Sequence, residues 1–324
     1  RTLPQALAGP APELLLLDDV NPVFGAPPGW KAKEWLLQVP FIVSFGAFLD
    51  DTSVHADLLL PDHSFLEAWT ESVPESGASS LVATTTPPAM RPLYDTRATP
   101  DVLLDLARRV RPGATSILAA QTFEEALQNP LEPAAVESAP RAPAAAGAGA
   151  ATAPPPTAWQ PPVFDGAAAD YPFVLQPYAS QALFDGSLAH LPWLQELPDP
   201  LTTAMWCNWV EVNARAADAL GIHDGDLVEI ASAHGRIEAP AVISPGIGPE
   251  MVAMPVGQGH ETFTRYASGR GSSPLAILAP ATAPATGQLA WAATRVKLTR
   301  VGAAGGELIL FGGATRERPD HAMG

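Results

Sequence analysis

The residues of this chain best equipped for chemistry are scattered histidines, one cysteine and a group of tryptophans, and their spacing narrows what they can do. His190, His223, His234 and His260 never pair at the i,i+3 or i,i+4 offsets that put ligands on one helical face, so spacing makes no metal set of them. His223 and His234 fall in turn-forming sequence and read as exposed turn residues. Cys207 is the only cysteine, so neither an internal disulfide nor a cysteine-based metal cluster can form within the chain. Beside Trp206 on a strand approach it reads as a buried apolar thiol. Trp193, Trp206 and Trp209 could line a substrate funnel, although packing and partner contact are the commoner uses of such side chains. No Ser/His/Asp arrangement, paired-carboxylate site, Walker loop or GxGxxG after a strand stands out. Binding groups remain: Asn21, Asn213, Gly257, Gly259 and His260. Each has a plain structural reading beside the binding one. Asn213 can cap a helix, Asn21 can start the turn that Pro22 continues, and the two glycines can permit a barrel corner.

The elements that must position these groups are clearest between residues 206 and 260. Val210 and Val212 alternate with polar neighbours, as at the end of a half-buried strand. Asn213 opens a short helix over Ala214–Leu220, and Gly221 can close it in the left-handed conformation. Asp224-Gly225-Asp226 turns the chain into two alternating runs, Leu227–Ser232 and Arg236–Ser244, joined by Ala233-His234-Gly235. Closed by Met251–Val256, these pieces predict a small β-barrel with an inserted helix.

Upstream, Glu13–Asp18 is a continuous apolar run, the pattern of a strand covered on both faces. A helix over Trp30–Gln38, a strand over Phe41–Phe45 and a third strand at Asp57–Leu60 follow, the last stopped by Pro61. This order is the tail of a doubly wound α/β domain, in which ligands sit beyond the carboxyl ends of strands, here at residues 19–24. Helices are predicted over Asp101–Val110 and Thr122–Leu127. From Leu131 to Pro162 the composition collapses to Ala, Pro and Gly, a surface-running linker. Tyr171–Gln176 then opens a second domain, which Val296–Arg300 and Glu307–Phe311 close as final strands. The expected fold class is α/β followed by a C-terminal double-psi-type β-barrel with short helices. The expected organisation is an α/β region over 1–130, a linker over 131–165, the barrel over 166–312 and a tail over 313–324.

Eighteen basic against thirty-four acidic residues give a net charge of −16, which argues against nucleic acid and anionic membrane surfaces as direct partners. No apolar run approaches the length that crosses a bilayer, and no signal peptide is read. The chain starts with Arg1 and reaches a buried strand at Leu14–Leu17, so it is expected to start within a longer protein, although a separate split subunit is the other reading.

Four pieces in order carry a family resemblance: Asn21-Pro22, Asp51-Thr52, Ala56-Asp57-Leu58-Leu59-Leu60-Pro61 and Leu66-Glu67. Asn213, Ala216-Ala217-(x)2-Leu220-Gly221-Ile222, Gly225-Asp226-(x)-Val228 and Gly257-(x)-Gly259-His260 continue it. Together they resemble the C-terminal portion of the large subunit of molybdopterin oxidoreductases, the dimethyl-sulfoxide-reductase superfamily. The resemblance implies molybdopterin guanine dinucleotide as cofactor. Its diphosphate needs backbone N–H groups and small residues, and its guanine needs Asn or Asp edges. Asn21, Asn213, Gly257, Gly259, His260, Gly269 and Gly271 stand where the family puts such groups, with Ser272 in the place of a family Asn. Iron–sulfur clusters would belong to an N-terminal part or to partner subunits. The family's Asn-(x)-Glu-Gly-Arg segment is not found. Leu66-Glu67-(x)-Trp69 and Pro92-Leu93-Tyr94 instead look like the molybdopterin-like subunits of quinone-linked complexes, which keep the fold and lack the metal. Two functions follow as expectations. One is a cofactor-bearing oxidoreductase subunit passing electrons through an iron–sulfur subunit to or from a quinone-interacting membrane subunit. The other is a cofactor-free scaffold in such a complex. The relatives imply the periplasmic side of the bacterial cytoplasmic membrane, reached through partners.

Overall fold

A computed structural model describes residues 2–72, 83–110, 120–128, 161–284, 286–303 and 308–312. The expected linker lies outside them up to residue 160, as does the tail from 313. Contact density divides the chain into one unit of residues 1–43, 48–58 and 162–324 and a second of residues 44–47 and 59–161.

Helix α1 (Leu3–Leu7) precedes strand β1 (Leu15–Leu17), and α2 (Pro22–Gly25) and α3 (Ala32–Leu36) follow before β2 (Ile42–Ser44) and β3 (Leu58–Leu59). The three strands form one small sheet with β2 in the middle. Leu17, Leu36, Val39 and Ile42 bury against one another, with Trp35 and Val23 beside them. The 13–18 run is not covered on both faces as expected, because Leu14 and Leu16 are 49% and 40% exposed. β1 is an edge strand here, and α3 packs only the side that carries Leu17. The helix expected over Trp30–Gln38 is broken at Lys31, which adopts φ 54° between a 3-10 turn and α3.

In the second unit, β4 (Thr70–Ser72) and β5 (Thr84–Thr86) pair antiparallel, and α4 (Thr99–Val110) is followed by α5 (Phe123–Gln128). Asp62 takes both the Thr99 N–H and its hydroxyl, which fixes the start of α4 two residues earlier than the sequence suggests.

The barrel holds the main core. Its strands are β6 (Phe173–Ala179), β7 (Val210–Val212), β8 (Leu227–Ser232), β9 (Gly235–Ile243), β10 (Met251–Val256) and β11 (Arg295–Gly302), with α6 (Pro192–Gln195), α7 (Ala214–Leu220) and α8 (Thr264–Ala267) in the connections. They close in the order β10-β6-β11-β8-β9-β7. β6 runs parallel to β10 and β7 parallel to β9, while β8, β9 and β11 pair antiparallel. Leu175, Val210, Val212, Val228, Ile230, Val252, Met254 and Val296 point inward at 0% exposure, the alternation the sequence shows. Each such side chain contributes about 1.5–3 kcal/mol by leaving water. Asp165, the last residue of the expected linker, already bridges to Thr294 at the barrel edge. Of the strand expected at Glu307–Phe311, residue 307 lies outside the described residues, and the rest makes an isolated bridge of Leu310 with Ala204 rather than a full strand.

Candidate functional site

Local sequence builds the first wall of the site. Asn21 caps α2, its Oδ1 accepting from the Phe24 N–H at 3.4 Å and from the Thr52 hydroxyl at 2.7 Å. The Thr52 Oγ1 accepts in turn from the Val23 N–H at 3.0 Å. These bonds seat the 50–55 turn against α2, and the Asn21 Nδ2 donates to the Asp51 carboxylate at 3.3 Å.

The second wall leaves β10 at Gly257. Gly259 has φ +94°, and a Cβ there would strike the backbone nitrogen of Ser273, so this position requires glycine for reasons inside the protein. The Gly259 N–H donates to the Arg270 carbonyl at 2.7 Å and the Gly269 N–H to the His260 carbonyl at 2.8 Å, clasping residues 259–260 to 269–270.

Between the walls lies a buried histidine–aspartate pair. His260, 2% exposed, bonds through Nδ1 to Asp51, 6% exposed, at 2.7 Å. The same carboxylate accepts from the Glu261 and Thr262 N–H groups at 2.7 and 2.8 Å. His260 Nε2 faces the Gly186 carbonyl at 3.2 Å, and its ring stacks on Phe24 at 3.7 Å. A carboxylate only accepts, so the 2.7 Å bond is made by a ring that carries a proton on Nδ1. Burial alone would raise the Asp51 pKa, but the bonds from His260 and Thr262, the electrostatic attraction of His260 and the Asn21 amide outweigh it and hold it below the ordinary carboxylate value.

The structure therefore brings together Asn21 and His260 and joins them through Asp51, whose site role the sequence did not reveal beyond its place in the Asp51-Thr52 piece. Asn213 stands apart, capping α7 with Oδ1 on the Arg215 N–H at 3.0 Å while Nδ2 donates to the Ile247 carbonyl at 2.6 Å. A Cβ on Gly257 would meet Leu183 and one on Gly271 would meet the Asn208 side chain, whereas Gly269 faces open space. Asn208, 2% exposed, was also missed. It donates to the Ser272 carbonyl and accepts the Ser272 N–H, holding the loop that carries Gly271. His223 is half of a turn contact with Asp226, and His234 is not the exposed residue expected, because it bonds Asp165 at 2.8 Å.

Two cavities flank this region. One of about 320 Å³ is lined by Phe24, Lys31, Lys33, Asp51, Gly259 and Ser273 among others, with Lys33 paired to Glu261 at 3.8 Å. The other, about 240 Å³, is walled by Leu183, Leu194, Met205, Trp206, Cys207 and Trp209 over Gln195 and Gln258. Trp193 turns out to solvent at 64% exposure, so only two of the three nominated tryptophans line a cavity.

A dinucleotide held by the nominated residues would need unspent donors and amide edges. As folded, both amide atoms of Asn21 and Asn213, both ring nitrogens of His260 and the N–H groups of Gly259 and Gly269 are bonded within the chain. Among the described residues, the one buried side-chain polar atom without a partner is the Arg270 Nε, beside the guanidinium that lies over Trp206. As folded, the side-chain edges of Asn21, Asn213 and His260 that the resemblance gives to the dinucleotide are thus engaged within the protein.

Comparison with known proteins identifies the architecture. Residues 194–294 match the family described as Molydopterin dinucleotide binding domain. Over 299 residues the chain is 27% identical to the menaquinone reductase, molybdopterin-binding-like subunit of Nitratidesulfovibrio vulgaris, covering 90% of this chain and 42% of that protein. Over 103 residues it is 31% identical to the arsenate respiratory reductase molybdopterin-containing subunit of Shewanella sp. (strain ANA-3), covering 31% of this chain and 12% of that one. Acetylene hydratase from Pelobacter acetylenicus superposes with a TM-score of 0.66 at 16% identity, over 92% of this chain and 46% of that one, a likeness of fold. The chain thus spans less than half the length of these relatives. With its closed six-stranded barrel, the chain carries a Molydopterin dinucleotide binding domain over residues 194–294 and is similar along most of its length to the molybdopterin-binding-like subunit of menaquinone reductase.

Proposed function

We propose that this chain is the barrel-bearing part of the large subunit of a multi-subunit, quinone-linked electron-transfer complex, and that it works there as a scaffold without its own pterin cofactor. The observation that carries this is a closed hydrogen-bond set: Asn21 and His260 each bond Asp51, and Thr52 bonds Asn21, which spends side-chain edges that the resemblance assigns to a dinucleotide. The scaffold positions an iron–sulfur subunit and a quinone-interacting membrane subunit, and any iron–sulfur cluster is held by them or by a further part of the large subunit. The relative named as a menaquinone reductase subunit supports the quinone link. Attachment to the membrane through partners, on the periplasmic side, belongs to the same proposal; no helix among the described residues is long and apolar enough to cross a membrane.

A second reading, molybdopterin guanine dinucleotide bound by the barrel, is favoured by the domain match over 194–294 and by the unbonded Arg270 Nε. Elemental mass spectrometry and pterin fluorescence of the native complex separate the two. Iron without molybdenum, tungsten or pterin is expected. Metal and pterin in stoichiometric amounts would establish the second reading instead.

A further inference from the structure

Beside the Trp206 cavity the described residues expose apolar side chains that none of them covers. Leu197 lines the cavity and is 50% exposed, and Leu201, just past it, is 87% exposed. Residues 308–311 run alongside 203–205, with the Phe311 N–H on the Thr203 carbonyl and the Met205 N–H on the Ile309 carbonyl. Leu308 and Leu310 pack inward with Trp209 and Ala204, which turns Ile309 and Phe311 outward at 42% and 67% exposure. On the β6 side, Phe184 exchanges two backbone bonds with Ser180, a cavity wall residue, and is 58% exposed. A cavity walled partly by apolar residues, with exposed Leu197 in its wall and exposed Phe184, Leu201, Ile309 and Phe311 on segments next to or bonded to its wall residues, has the form of an anchor pocket with a water-excluding rim.

The rim backbone is also held in costly conformations. Phe184, Thr203 and Trp206 all have positive φ, at 55°, 61° and 57°. Non-glycine residues in that region cost about 1–3 kcal/mol each and gather at binding and catalytic sites.

Charge selects the occupant. Asp199 is the only charged residue lining the cavity, and Asp185 and Glu196, on either side of α6 in the connection from β6 to β7, are exposed. Residues 142–214 contain no Lys or Arg at all. The nearest cation contact, the Arg270 guanidinium, lies 4.7 Å from the Trp206 ring centre. We infer that this face is the docking surface for a partner polypeptide that inserts one large apolar side chain beside Trp206 and carries Lys or Arg on either side of it. Burial of the anchor supplies affinity, and the acidic lip supplies orientation and partner choice. The inference rests on the reading of this chain as a subunit of a larger assembly, and adds where one partner seats and what its segment looks like.

The test places a photo-crosslinking amino acid at Leu201, and separately at Lys297, an exposed residue of β11, in the native complex purified through a tag on this chain. After irradiation, Leu201 is expected to link to another subunit, at a segment where an apolar residue is flanked by Lys or Arg, and Lys297 is not. Linkage of Leu201 to a second copy of this chain, to a segment without basic residues, or to nothing in an intact complex overturns the docking surface and leaves the assembly reading standing. A chain that purifies alone overturns both. Leu201→Glu checks the energetics independently. At 87% exposure Leu201 contributes little to the fold, so thermal unfolding should be unchanged while the partner's Kd rises at least tenfold. An unchanged Kd also overturns the proposal.

Discussion

Asp51→Ala should be the most damaging single change to the first unit that leaves its hydrophobic core intact. It removes the acceptor of four bonds, from His260 Nδ1, Asn21 Nδ2 and the Glu261 and Thr262 N–H groups, and leaves the His260 ring buried without its carboxylate partner. Breaking a buried pair from one side costs about 3–5 kcal/mol, which for a unit of this size lowers the apparent Tm by about 6–20 °C. His260→Phe should cost less, because a phenyl ring can keep the stack on Phe24 while Asp51 retains its backbone donors. Urea unfolding followed by tryptophan fluorescence on both single variants and on Asp51→Ala/His260→Phe closes a double-mutant cycle. A coupling energy of about 2 kcal/mol is expected, with the double variant more stable than the sum of the singles predicts. Additivity within about 0.5 kcal/mol would refute the pair as the seam between α2 and the loop after β10. The acid limb gives a second readout. Asp51 has a folded pKa below its ordinary value, so the stability it contributes is fully present above that ordinary value and is lost as pH falls through the lowered one. Stability of the wild type should fall across that acid range more steeply than that of Asp51→Ala.

Two further outcomes are expected. Asn213→Leu removes the α7 cap and the bond to the Ile247 carbonyl, and should lower stability by about 1–3 kcal/mol in chemical denaturation. It should do so without altering pterin content of the purified complex, and a selective loss of pterin from a folded variant would restore the guanine-reading role. Burial, with the bond to the Glu211 carboxylate at 2.7 Å, raises the Tyr178 pKa far above the phenol's usual value. In an alkaline absorbance titration Tyr178→Phe should therefore leave the reversible phenolate signal of the folded protein unchanged, and a reduced signal would contradict the buried bond.

Much of the barrel was legible because its signals are local. Asn213, Gly221 and the Asp224-Gly225-Asp226 turn fix α7 and its exit within a few residues of themselves, and α7, β8 and β10 occupy the expected spans. Elements whose state depends on distant neighbours were not legible. The 13–18 run has the composition of a doubly covered strand, yet the chain lays a helix on only one side of it. His234 reads as a turn residue until Asp165 arrives from 69 positions away. The site shows the same limit. Asn21, His260 and the glycines could be nominated by type, but their significance depends on Asp51, 209 residues from His260, and no spacing rule reaches that far. Gly257 and Gly259 illustrate the converse, since a glycine that makes room for a ligand and one that makes room for Ser273 look identical in sequence.

The order in which the barrel closes bears on its synthesis. β6 is the first barrel strand to leave the ribosome, yet its two neighbours are β10 and β11, the last two. Until residues 251–256 and 295–302 have emerged, both edges of β6 stand unpaired, and the ring cannot be completed from its N-terminal half. Pairings of such long sequence separation form slowly and leave sticky edges exposed meanwhile. The α2 and 50–55 segments wait even longer in relative terms, since Asp51 meets its donors only when His260, Glu261 and Thr262 appear. A nascent chain arrested before residue 295 is thus a chaperone client with an open sheet, and C-terminal truncations into β11 should yield aggregates rather than a smaller folded domain.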